Sequence, residues 1–143
     1  MSAERQIGPE ADLRERIEAI ESGYEFLLAY AAQGRSTDRG GGAGHPLREF
    51  LGNMEQALTG LGDVVRARAE QRGAALVATS GAFFDALEDD SRKARGAIRL
   101  VLAQKDISSQ LVDNLNGNIH VRAMLMDLFV VDEALKGEGR EGG

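Results

Sequence analysis

Apolar residues recur at Leu13, Ile17, Ile20, Tyr24, Leu27 and Ala31, an alternating four-then-three spacing that places all six on one stripe of a helix. Gly8-Pro9 opens this segment, and proline suits a first helical turn because its missing N–H would be unpaired there anyway. Glu10, Arg14 and Glu18 form i,i+4 charge pairs on the other side. The pattern predicts a first helix over 9–33. Phe26, Leu28 and Tyr30 widen its apolar face, so burial against more than one neighbour is expected.

The same rhythm returns at Leu47, Leu51, Met54, Leu58, Leu61 and Val65 after His45-Pro46, predicting a second helix over 46–72. Gly52, Gly60 and Gly62 flank its stripe, and because a helix-interior glycine costs about 1 kcal/mol relative to alanine, they read as places where another backbone comes close. Gly73 is the expected C-terminal cap; were it to fail, the second and third helices would fuse into one rod. Phe84, Leu87, Ala94, Ile98 and Val101 then give a third stripe, interrupted by Ser91, over 74–104. Glu88 with Arg92 and Asp89 with Lys93 are correctly ordered i,i+4 pairs.

Leu111, Leu115, Leu125 and Phe129 hold helical spacing in the last segment, 108–135, but Asn114, Asn116, Gly117 and Asn118 interrupt it. Asn-Gly is a turn dipeptide, and Ile119-His120-Val121 and Leu128 to Val131 have some strand character. With no other strand to pair with, one helix kinked near Gly117 is expected. The 34–45 segment, Gly-Arg-Ser-Thr-Asp-Arg-Gly-Gly-Gly-Ala-Gly-His, offers few side chains to pack and reads as a flexible loop. It lacks the Gly-Lys-Ser/Thr ending of a phosphate loop. The 136–143 tail is expected to fray. The fold expected is a single all-α domain over 1–143, an antiparallel four-helix bundle with a Gly-rich loop between helices one and two.

Composition narrows the chemistry. The 143 residues include no Cys, which removes disulfides, thiol catalysis, iron–sulfur centres and thiolate zinc sites. With 17 Lys plus Arg against 23 Asp plus Glu, net charge −6, no general attraction to nucleic acid or anionic lipid is expected. The longest nearly apolar stretch, Ala123 to Val131, is broken by Asp127 and falls short of the roughly 20 residues of a spanning helix. The start of the chain is polar, without a signal-peptide core. A cytoplasmic protein is expected.

Three constellations are candidates for chemistry. Glu18, Glu21 and Glu25 share a face and, with Asp127 or Asp132, resemble a metal-binding bundle only loosely, since neither histidine has Glu three residues before it; no metal or other cofactor is expected. His45 and His120 are candidate phosphoacceptors, His45 weakened by Pro46. Tyr24, Asn114, Asn118, His120 and Arg122 form the most unusual polar set. They read either as buried amides fixing register and subunit contact or as a pocket for a small anionic ligand. Glu88-Asp89-Asp90, followed by Ser91-Arg92-Lys93, reads as a solvated face.

No catalytic triad, dinucleotide fingerprint or phosphate loop is readable, so no catalytic residue is assigned and enzymatic activity is disfavoured. Met124, Leu125, Leu128, Phe129, Val131 and Leu135, with Met126 and Val130 beside them, supply more apolar surface than one stripe buries. The expected role is therefore protein–protein contact, as a homodimer or with another protein partner, with the fourth helix as interface. Ligand binding is the alternative, and histidine phosphotransfer a third.

Overall fold

The computed structural model describes residues 8–44 and 46–135, apart from the Ala43 side chain. His45, the expected tail 136–143 and the first seven residues lie outside them. The described chain is all-α: α1 (Pro9–Ala31), a 3-10 turn (Gly42–Gly44), α2 (Leu47–Leu58), α3 (Leu61–Arg72), α4 (Ala74–Leu102), α5 (Ser109–Asn116) and α6 (Ile119–Leu135). The two long helices, α1 and α4, hold α2, α3 and α5 between them, and α6 packs along α4. No strand forms among the described residues.

The expectation of four helices is corrected to six, by two breaks with separate causes. At the first, Thr59 is extended (ψ 119°) and Gly60 is left-handed (φ 74°), a backbone conformation that ends a helix and suits glycine. The end of α2 is closed by donors from elsewhere: the Arg16 guanidinium of α1 donates to the Ala57 carbonyl (3.0 Å) and the Thr59 carbonyl (2.6 Å). At the second, α5 ends at Asn116 and Asn118 starts α6, its side-chain oxygen accepting from the His120 and Val121 amides at 2.9 and 3.2 Å. That is an N-cap, so the expected kink is a full restart. Gly73, φ 146°, is the whole connection between α3 and α4.

The predicted stripes supply the core. Leu13, Ile17, Ile20 and Leu27 of α1, the four apolar positions of α2 with Leu61 and Val65 of α3, and Phe84, Leu87, Ala94, Ile98 and Val101 of α4 are all buried. One close helix contact lies at a glycine outside the expected three. A Cβ at Gly23 would fall on the Met54 side chain, so α1 needs glycine there to seat α2. Gly52 faces open space, Gly60 serves the turn, and Gly62 makes room for the Glu88 side chain, whose carboxylate accepts from the Gly62 amide at 2.9 Å at the start of α3. None of the three marks a neighbouring backbone.

The Gly-rich loop is also corrected, from a segment with little to pack into a polar knot. Asp38 is buried, 8% exposed. Its carboxylate accepts from Arg48 Nε (2.7 Å) and the Ile107 amide (2.9 Å). Arg48 goes on to donate to the Leu102, Gln104 and Lys105 carbonyls, covering the negative end of the longest helix. Arg35 donates to the Thr37, Arg39 and Gly41 carbonyls. The Arg35 and Ser109 backbones are joined by a 2.8 Å bond. A side chain at Gly44 would strike the Asp38 carbonyl. The glycines here permit a compact wrapping.

Candidate functional site

The five residues expected to form a polar pocket are only partly brought together. Arg122 donates to the Tyr24 hydroxyl at 3.4 Å across α6 and α1. Asn118 is spent on capping α6. Asn114, exposed, accepts from Gln110 one turn before it. The His120 side chain is exposed in the first turn of α6. None of the five lines the two interhelical cavities described below. The amide that is buried is their neighbour: Asn116 is 6% exposed and both its side-chain polar atoms lack a hydrogen-bond partner. A buried unsatisfied polar group costs about 1–3 kcal/mol. Asn116→Leu, similar in volume, is therefore expected to raise the unfolding free energy by about 1 kcal/mol, measurable by urea denaturation; a net loss would show that the amide is held by ordered water.

The apolar residues expected at the interface divide differently. Met124, Leu125, Leu128, Val131 and Leu135 are all buried within the chain's own core, and only Phe129 of the six is exposed, at 47%. They pack α6 onto α4, so they do not supply an open surface. The surface that α6 does present is Ile119, Met126, Phe129 and Val130. Met126, Phe129 and Val130 stand at i, i+3 and i+4, on one face. Beside them a groove of about 300 Å³ runs between α6 and the first half of α4, lined by Leu76, Phe83, Phe84, Val130, Ala134 and Leu135, with Thr79 and Ser80 as its polar edge.

A second cavity, about 200 Å³, opens between α1, α3 and α6, with Leu13, Ile17 and Val131 as walls and Glu10, Arg14, Arg68 and Asp132 as charged groups. Arg68 is buried and well supplied with acceptors, donating to Gln71 Oε1 (3.0 Å) and the Leu135 carbonyl (2.9 Å) with Glu10 at 3.8 Å. It anchors the end of α6 to α3.

The carboxylates do not assemble as a metal site. Burial, then the charges of Asp132, Glu25 and Glu18, push the Glu21 carboxyl above its ordinary range, but among the described residues no group of three or more His, Asp or Glu is arranged to hold a metal ion. Asp127 turns instead towards Asp90 of α4: burial first, then a hydrogen bond with Asp90 and its charge, push the Asp127 carboxyl up to about 7. The acidic run expected to be a solvated face splits three ways. Glu88 caps α3, Asp89 pairs with Arg92 and Lys93 at 2.6 and 3.0 Å, and Asp90 meets Asp127. The sequence signal was Asp127 itself, the one charge inside the apolar run Ala123 to Val131.

No protein-family model matches the chain, and comparison with curated proteins and with solved structures gives no match. Among the described residues no helix is long and apolar enough to cross a membrane.

Proposed function

We propose that the protein is a small helical-bundle module that acts by protein–protein contact, and that its partner surface is the exposed apolar face of α6 with the adjoining α4 groove. The observation that carries this reading is concentration: of the six large apolar side chains left exposed among the described residues, four, Ile119, Met126, Phe129 and Val130, are on α6. Scattered exposed apolar residues are ordinary, whereas a contiguous patch beside a groove marks a contact site. Protruding Met126 and Phe129 next to an apolar groove also suit a two-fold contact, in which each copy's side chains fill the other's groove. A second copy of this chain is the partner proposed.

The test is sedimentation equilibrium of the full chain at micromolar concentration. Wild type is expected to be dimeric and Phe129→Glu monomeric with unchanged helical circular dichroism, because a charge at a desolvated contact is strongly unfavourable. Leu28→Glu, at an exposed position on α1, should leave the dimer intact. A monomeric wild type sinks the homodimer reading.

A further inference from the structure

We propose that one proton held between Asp90 of α4 and Asp127 of α6 fastens these two helices together, making their seam a pH-responsive element of the fold. The pair lies within one chain, so the proposal stands apart from self-association.

The geometry leaves few alternatives. Asp127 Oδ2 is shielded from solvent and no N–H or O–H of another residue type reaches it, while Asp90 is its hydrogen-bonding neighbour. Two neighbouring carboxylates have no donor between them unless one is protonated, and in a partly dry site the second ionises only at raised pH. A protonated Asp127 donates its O–H to the Asp90 carboxylate, satisfying both groups.

The surrounding charges do not supply a substitute. On α4, Glu88 is held by the Gly62 amide, and Arg92 and Lys93 are engaged by Asp89. From α3, Arg66 pairs with Asp85, and Arg68 and Arg72 donate to the Leu135 and Ala134 carbonyls, two turns along α6. On α6 itself, Arg122 is directed to Tyr24, Asp132 acts on Glu21 of α1, and Glu133 and His120 are exposed. From α5 the charged side chain is Asp113, also exposed. Among the described residues no cation forms an ion pair with either carboxyl.

The direction follows from linkage. Asp127 titrates near its ordinary value, about 4, when unfolded and at about 7 when folded. Its contribution is complete below about pH 4, is lost progressively as pH rises towards 7, and stays lost above that, where both states are ionised. Asp38 and Asp89, held below the usual carboxylate range, act in the opposite sense at lower pH, so the signature is the difference between wild type and Asp127→Asn.

Thermal unfolding of the full chain from about pH 3.5 to about pH 8.5, spanning both the unfolded and the raised folded carboxyl values, tests this. The Asp127→Asn amide donates to Asp90 at every pH, so its melting temperature is expected to match wild type near about pH 4, to exceed it by a widening margin as pH rises to about 7, and to keep that margin at about pH 8, with Asp90→Asn likewise flattening the profile. Parallel profiles for wild type and Asp127→Asn would overturn the proposal. Carbon-detected NMR titration of the wild-type Asp127 carboxyl reads the same question without a variant: a midpoint near 7 supports the shared proton, and a midpoint near 4 refutes it.

Discussion

Arg48→Ala is expected to lower the unfolding free energy by about 3 kcal/mol, at the lower end of what removing one member of a buried ion pair costs. The Arg48 side chain is 39% exposed while that of Asp38 is 7% exposed, so the loss falls on the partner left behind. Asp38 would keep only the Ile107 amide and its own loop, and the carbonyls of Leu102, Gln104 and Lys105 would turn to water at the end of α4. The pH dependence identifies the cause. Burial alone would raise the Asp38 carboxyl, but the Arg48 hydrogen bond, the Ile107 amide and the Arg48 charge outweigh it and hold it below the usual range. Stability from this pair is therefore present above the ordinary carboxylate value and lost as pH falls through the depressed one. Urea denaturation should show the gap between wild type and Arg48→Ala shrinking in acid, and Asp38→Asn should recover part of the loss in the double variant. A loss under about 1 kcal/mol, the range of an exposed pair, would mean that Arg35 and Ser109 hold the loop without Arg48.

Tyr30→Ala carries a comparable or larger expected cost, about 3–5 kcal/mol for truncating a fully buried aromatic. Tyr30 has 0% exposure. Phe26 lies stacked at 6.4 Å and the Arg35 guanidinium sits 5.7 Å over the ring. Its hydroxyl donates to the Ile107 carbonyl at 2.7 Å, and its own carbonyl accepts from Ser109 Oγ at 2.9 Å. Tyr30→Phe separates the contributions: it keeps the packing, orphans the Ile107 carbonyl, and should cost about 1–2 kcal/mol. Burial raises the phenol above its ordinary range against the opposing pull of Arg35, so the hydroxyl stays a donor well into alkaline solution. Equal losses for the two variants would place the whole effect in the hydrogen bond.

The helical stripes were legible because burial on one face imposes a period that any sequence must display. The break at Gly60 was hidden by the same rule, since Leu58, Leu61 and Val65 keep the four-three rhythm across a left-handed residue while α2 gives way to α3. The Gly-rich loop was misread because its one essential anchor, Asp38, finds partners 10 and 69 residues away, and no local pattern encodes such pairings. Asn118 was noticed for its polarity, yet its position two residues before His120 is that of a cap, a local role that spacing does carry. Asp127 was visible as a misplaced charge. Its partner was not, because Asp90 stands in a run of charges that looks solvated until α6 is laid over it.

The polar knot has a kinetic side as well. Tyr30 with Ile107, Asp38 with Ile107 and Tyr30 with Ser109 join positions 69 to 79 residues apart. Closing so long a loop is costly on its own, and it becomes easier once α2, α3 and α4 already span the distance. The knot is therefore expected to form late, after the folding transition state. Weakening it at Arg48 should leave the refolding rate nearly unchanged and shorten the lifetime of the native protein, an outcome that would make this glycine-rich loop a determinant of how long the fold persists rather than of how quickly it is reached.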